Sequence, residues 1–181
     1  MTTLREVEMS VPSFIQIGLA IIFGLSGVLK LYSPSSLKST LMALGIPKPL
    51  SSAGAWLVPL FEVLTAVLLL SSATVWIGET LAFGLIGAFI YAILVALLKK
   101  ERIQCNCFGK LQDDYLGRST ILRIALLIVM NSYITIANQP VSFAAVKLED
   151  LILYILSWTG ILGLYFIVPI ILNAISQSQT D

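Results

Sequence analysis

Five long apolar segments constrain this chain more than any other feature of its sequence. They lie at residues 14–32, 54–75, 79–98, 119–137 and 151–172. Crossing about 30 Å of hydrocarbon takes about 20 apolar residues in a helix, because only helices and closed barrels satisfy their own backbone there. The apolar residues do not alternate as they would in barrel strands. The sequence therefore predicts an all-α, polytopic membrane helical bundle, formed by residues 1–181 as a single integral membrane domain.

Composition agrees with a lipid environment and excludes several functional classes. Hydrophobic residues make up 57% of the chain and charged residues 12%, too few to cover the core of a soluble protein of this size. The basic residues adjoin apolar segments and form no patch interleaved with aromatics, so nucleic-acid binding is not expected. The chain has no histidine, which removes the commonest general base and zinc ligand.

Glycine and turn signals suggest how the segments pack. A tight turn around Ile77 and Gly78 is expected to join the second and third segments. Three glycines of the first segment would let a neighbouring helix approach closely. They are Gly18, Gly24 and Gly27.

The loop at residues 99–118 begins KKERIQCNCFGKLQDD and holds both cysteines of the chain, Cys105 and Cys107. Three interpretations are open. The cysteines could be chemically passive, they could bind a soft metal transiently, or they could cycle between dithiol and disulfide. A structural zinc site needs four ligands, which one chain without histidine and with two cysteines cannot supply, so no resident metal is predicted.

The redox interpretation depends on the spacing of the two cysteines. A disulfide needs Cα atoms about 4.4 to 6.8 Å apart, which residues i and i+2 reach in a bent chain. Asn106 tolerates such a bend, and Phe108 and Gly109 would supply an apolar contact and a flexible turn. The small ring is strained and therefore labile. Neighbouring basic residues favour the thiolate, although they also serve as ordinary topology signals. They are Lys99, Lys100, Arg102 and Lys110.

Glu62 is the most unusual residue of the apolar segments. It follows Pro59 by three residues within the second segment, where an ionisable group is costly unless it is paired or neutral. Lys30, near the end of the first segment, is its expected partner, because both belong to the half of the bilayer that adjoins the cysteine loop. A functional role and a purely interhelical contact are both open. Asn131, in the fourth segment, is expected to donate a hydrogen bond to another helix.

The distribution of basic residues predicts an orientation. With five spans, the loops at residues 33–53 and 99–118 share one side of the membrane, and nearly all basic residues lie near that side. The positive-inside rule then puts the cysteine loop in the cytoplasm and the N-terminus outside. The basic residues on the loop side are Lys30, Lys38, Lys48, Lys99, Lys100, Arg102, Lys110, Arg118 and Arg123.

Three sequence motifs resemble those of a known family, the MauE branch of the DoxX-like membrane proteins. They are GLSGVLKLYSP at the end of the first segment, VPLFEVLTAVLLL in the second, and CNCFG in the loop before the fourth. The resemblance implies a four-helix DoxX-like core, to which the fifth segment adds one helix. It also implies that Cys105 and Cys107 are the redox pair and that Lys30, Pro59 and Glu62 are framework residues.

The resemblance further implies a function and a partner. MauE-like proteins assist maturation of a disulfide-rich methylamine dehydrogenase subunit, alongside a thioredoxin-like partner, in the bacterial plasma membrane. That role would place the thiols on the outer face, opposite to the charge rule. The chain has no second thiol pair and no recognisable quinone motif, so no cofactor is assigned.

The leading hypothesis is a membrane thiol–disulfide redox protein, a candidate thiol–disulfide oxidoreductase, that exchanges electrons with a thioredoxin-fold protein. The alternative is a non-enzymatic scaffold or a carrier of small solutes or soft metals.

Overall fold

The computed structural model describes residues 11–99, 118–137 and 146–178, and within these residues every regular element is a helix. The chain forms two compact units, Met1–Val146 and Lys147–Asp181. The first contains α1 to α5 and the second contains α6. The helices are α1 (Val11–Tyr32), α2 (Pro34–Ala43), α3 (Lys48–Leu69), α4 (Val75–Lys99), α5 (Arg118–Ala137) and α6 (Leu148–Ser178).

Among the described residues, four helices are long and apolar enough to cross a membrane, judged by length and composition. They are α1, α3, α4 over Val75–Leu98, and the part of α6 over Leu148–Tyr165. The apolar part of α5, Ile121–Ala137, is shorter than these four. These helices confirm the predicted all-α, polytopic membrane bundle. The assignment of residues 1–181 to one domain and the DoxX-like core stay predictions.

The second and third predicted segments have different bounds in the structure. α3 begins at Lys48 because the prolines around it are compatible with a first helical turn, where their missing N–H groups would have no partner anyway. α3 ends at Leu69, and the turn to α4 comes at residues 70–74 instead of around Ile77 and Gly78, where it was expected. Thr74 stabilises this turn by donating from Oγ1 to the carbonyl of Leu68 over 3.0 Å.

α1 packs against α3 in the antiparallel direction, and Gly27 sets the closeness of the two helices. A Cβ atom at Gly27 would lie 2.8 Å from both the carbonyl oxygen of Pro59 and Cγ2 of Val63. One turn earlier, a Cβ at Gly24 would meet Cβ of Ala66 at 3.5 Å, an ordinary contact. The predicted close approach of a helix to these two glycines is therefore confirmed.

α4 and α5 are also antiparallel and are joined by polar contacts near the start of α4. Asn131 donates from Nδ2 to the carbonyl of Glu79 over 3.2 Å, which confirms its predicted role as an interhelical donor. Thr135 donates from Oγ1 to Oε2 of Glu79 over 3.1 Å.

We call the end of this bundle formed by Lys48, Lys99 and Arg118 the loop end, and the end formed by Leu69, Val75 and Ala137 the opposite end.

The short helix α2 continues α1 toward the loop end after a break at Ser33. Pro34 begins α2 and has no N–H to extend the hydrogen-bond ladder of α1, so the helix cannot run on unbroken. α2 then packs along the first half of α3. Cδ1 of Leu41 lies 2.9 Å from the position a Cβ of Gly54 would take. Leu44, just after α2, packs against Ala96 near the end of α4.

α6 forms the second unit by itself. It is 31 residues long and carries two acidic residues, Glu149 and Asp150, in its first turn. Acidic side chains there interact favourably with the positive end of the helix dipole.

Candidate functional site: a buried ion pair beside a helix break

The two predicted redox residues, Cys105 and Cys107, lie outside the described residues, as do Asn106, Phe108 and Gly109. By chain connectivity, the segment that contains them joins the end of α4 to the start of α5, both at the loop end. The remaining predicted site residues, Lys30, Pro59 and Glu62, are all described. The structure brings these three together between α1 and α3.

Glu62 is deeply buried in the interface between α1 and α3. Only 1% of its side chain is exposed. Pro59 precedes it by one turn and lies inside α3, where it is also buried. The proline removes one backbone donor from the helix ladder, and its own carbonyl oxygen lies against Gly27 of α1. Gly27 therefore allows α1 to come close enough for its side chains to reach the Glu62 carboxylate.

Lys30 supplies the countercharge and touches two other helices. Its ammonium forms an ion pair with Oε1 of Glu62, and 3% of its side chain is exposed. The same ammonium lies over the ring of Phe89 of α4, 4.8 Å from the ring centroid, within the range of a cation–π contact. The predicted pairing of Lys30 with Glu62 is thus confirmed. The functional roles of both residues stay predictions.

The hydrogen bonds to Glu62 are uneven between its two carboxylate oxygens. Oε1 accepts from Lys30 and also, over 3.3 Å, from Oγ of the buried Ser26. Oε2 is buried and has no hydrogen-bond partner among the described residues. A buried carboxylate oxygen without a donor is costly, because burial removes the hydration it has in water. This oxygen can therefore accept one further hydrogen bond.

The pair lies at about the middle of the bundle, whereas the sequence placed both residues in the half of the bilayer that adjoins the cysteine loop. Phe89 is ten residues before the end of α4 at Lys99, about 15 Å along a helix axis. Glu62 is 14 residues from the start of α3 at Lys48, about 21 Å. Lys30 lies deep although it is in the last turn of α1, since α1 ends beside the middle of α3 and α2 continues toward the loop end.

Apolar side chains separate this site from the opposite end of the bundle. Leu19, Phe23 and Leu69 are almost fully buried between the ion pair and Gln16. Gln16 itself donates from Nε2 to the carbonyl of Leu69 over 2.6 Å, so its polar contact is made at the opposite end.

Two residues of the site were missed from the sequence. Ser26 precedes Lys30 by four residues and so lies on the same face of α1, a spacing that could have identified it. Phe89 carries no local signal, because it comes from a different helix, 59 residues away in the chain.

Arg123 of α5 adds further positive charge at a similar depth. The contact of Glu79 with Asn131 aligns α4 with α5 so that Arg123 lies roughly level with Phe89. Among the described residues, no group of three or more acidic, histidine or cysteine side chains could hold a metal ion. The arrangement as a whole is suited to holding an ammonium group. The Glu62 carboxylate binds the group, Ser26 donates to the same carboxylate oxygen, and Phe89 presents a ring face.

The described residues are all helical, with four membrane-length helices and a buried ion pair, and these features define a polytopic integral membrane protein. Such pairs inside membrane helices commonly mark functional positions. This chain belongs to the MauE family: the family model described as methylamine utilisation protein MauE matches residues 8–137. The matched residues include α1 to α5, the ion pair and the cysteine loop, and they stop before α6. Searches of curated proteins and of solved structures gave no match.

The match confirms the resemblance noted from the three motifs. It connects this integral membrane protein with methylamine utilisation.

Proposed function

We propose that this protein is a membrane thiol–disulfide redox protein that uses Cys105 and Cys107 to exchange electrons with a thioredoxin-fold partner. The observation that carries the proposal is the Cys-x-Cys pair, the only two cysteines of the chain, inside the part that matches the MauE family. Both ends of the segment that contains them belong to the loop end of the bundle. A partner could therefore reach the thiols without entering the bilayer.

The exchange needs no other redox group. The thiolate of one cysteine attacks a disulfide sulfur of the partner, so that a mixed disulfide forms and one partner thiolate leaves and takes up a proton. The second cysteine, after losing its proton, attacks the mixed disulfide. The partner then departs as a dithiol, and a Cys105–Cys107 disulfide remains. Two electrons have passed to the partner, and the reverse sequence reduces the protein again.

The physiological setting we propose is maturation of methylamine-oxidising enzymes in the bacterial plasma membrane. The family description supports the connection with methylamine metabolism. The charge rule favours the cytoplasm for the loop end, whereas a maturation role would need the outer face. A membrane-impermeant thiol reagent applied to whole cells distinguishes these two orientations.

Redox trapping tests the proposal. Cells are treated with a mass-tagged maleimide before and after reduction, and the chain is examined for a mass shift. We expect a fraction of the protein to gain two tags only after reduction. The Cys105→Ser and Cys107→Ser variants, made separately, should trap a mixed disulfide with the partner, while the double serine variant should trap none. A pair that is always reduced, together with no adduct from either single variant, would refute the exchange.

A carrier function is the second candidate, and one observation favours it. Lys30 and Glu62 form an ion pair at about the middle of the bundle, close to the break between α1 and α2. Membrane carriers commonly place substrate sites at such depths, beside interrupted helices.

A further inference from the structure

We infer that the Glu62 carboxylate is a receptor for a small primary ammonium ion, which binds there by exchanging with the side chain of Lys30. This goes beyond the proposed redox function and does not depend on it. The inference starts from what Glu62 already holds. The end of a lysine side chain, Cε with Nζ, has the same heavy atoms as methylammonium, and the site binds that group by charge, hydrogen bonding and a ring face.

Each part of the site matches the chemistry of an alkylammonium ion. Glu62 supplies a negative charge, and Ser26 holds its Oε1 in place over 3.3 Å. Phe89 presents an aromatic face 4.8 Å from the bound nitrogen, a geometry proteins use to bind organic cations. A methylammonium ion that replaced Nζ and Cε of Lys30 would keep all of these contacts. The space it needs is the space that the lysine vacates.

Oε2 of Glu62 provides an additional acceptor for the incoming ion. It is buried, and within the described residues it has no hydrogen-bond partner. An ammonium ion has three N–H donors, so once Lys30 has withdrawn it can bind Oε1 and Oε2 together. The charge remains balanced because one monovalent cation leaves the carboxylate as another arrives. Among the described residues, Arg123 of α5 is a further cation at about this depth, so repulsion between cations favours exchange with Lys30 over binding of a second cation beside it.

The break between α1 and α2 gives Lys30 another place to go. Lys30 lies in the last turn of α1, where helix carbonyls lack intrahelical partners and attract cations. The backbone N–H of Ser33 donates to the carbonyl of Lys30 over 3.1 Å, which closes this last turn. Leu19, Phe23 and Leu69 are buried between the site and the opposite end, so entry from the loop end is part of the inference.

Binding of radiolabelled methylammonium to the full chain in nanodiscs tests the inference. We expect saturable binding to the wild-type protein that unlabelled methylammonium displaces and tetramethylammonium does not, because the latter has no N–H donors. Glu62→Gln should weaken binding at least tenfold. Glu79→Gln, which alters a carboxylate at the opposite end, should leave binding unchanged. The Cys105→Ser/Cys107→Ser variant should also bind normally, which separates this result from any failure of the redox proposal.

Loss of folding could imitate loss of binding, so a second variant is needed. The Lys30→Met/Glu62→Gln protein removes both charges together and avoids leaving either one buried alone. We expect it to fold, as judged by circular dichroism and gel filtration, and to bind no methylammonium. Saturable binding to this double variant would overturn the inference. So would a wild-type protein that shows no saturable binding.

Discussion

At the scale of single residues, the energetics of the ion pair depend on its burial. Lys30 and Glu62 are each almost fully removed from solvent, so each charge depends on the other for stabilisation. Forming such a pair contributes only modestly to the free energy of unfolding, because the cost of removing both charges from water offsets their attraction. Removing one partner costs much more, because the remaining charge is left in a medium of low dielectric constant.

The first prediction concerns this pair. Replacing Glu62 with Gln or Lys30 with Met should each lower the free energy of unfolding by about 3 to 5 kcal/mol. The double variant should lose less than the sum of the two, since no unpaired charge remains. Unfolding of the purified protein in mixed micelles measures these free energies. Glu79→Gln is the matched control, and we expect it to change stability by less than about 1 kcal/mol. Additive losses in the double variant would show that the two side chains are not coupled.

At the scale of helices, the contact of α1 with α3 depends on small residues. Membrane helices gain little from the hydrophobic effect when they associate, so close packing and polar contacts decide which faces meet. Gly27 is the closest point of this interface, because the carbonyl of Pro59 and the side chain of Val63 occupy the space beside it. The same closeness brings Ser26 and Lys30 within reach of Glu62.

The second prediction compares two glycines of α1. Gly27→Ala places a Cβ atom 2.8 Å from a backbone oxygen, so the helices must separate. We expect a loss of about 1 to 3 kcal/mol in the free energy of unfolding. Gly24→Ala puts its Cβ at 3.5 Å from Ala66, an ordinary contact, and should cost little. The same unfolding assay compares the two variants. Equal stability of both would contradict the close contact at Gly27.

At the scale of the whole molecule, the two ends of the α1–α5 bundle differ in charge. Among the described residues, Lys38 and Lys48 lie toward the loop end, whereas the acidic Glu79 lies at the opposite end. Basic residues are retained preferentially on the cytoplasmic side during membrane insertion. Along the chain, α3, α4 and α5 run in alternating directions. If these helices cross the membrane, either the loop end or the opposite end therefore faces the cytoplasm.

The third prediction follows from this asymmetry. Single cysteines are introduced at Lys48, at the loop end, and at Ser72, near the opposite end, in the Cys105→Ser/Cys107→Ser background. Both positions are exposed. A membrane-impermeant maleimide added to intact cells should label the cysteine at position 72 and not the one at position 48. Lysed cells, in which both should react, provide the control. The reverse pattern would put the loop end outside.

The sequence by itself determined the helical class, the membrane environment, the family motifs and the partners Lys30 and Glu62. It could do so because long apolar segments leave the backbone few options in lipid, and a lone buried carboxylate requires a nearby cation. The start of α3, the turn at residues 70–74 and the depth of the ion pair were decided by the tertiary structure. Depth depends on how α1 is displaced along α3, which is set by the fit of Gly27 against Pro59. Phe89 joins the site for the same reason: contacts between distant helices arise only when the helices have packed.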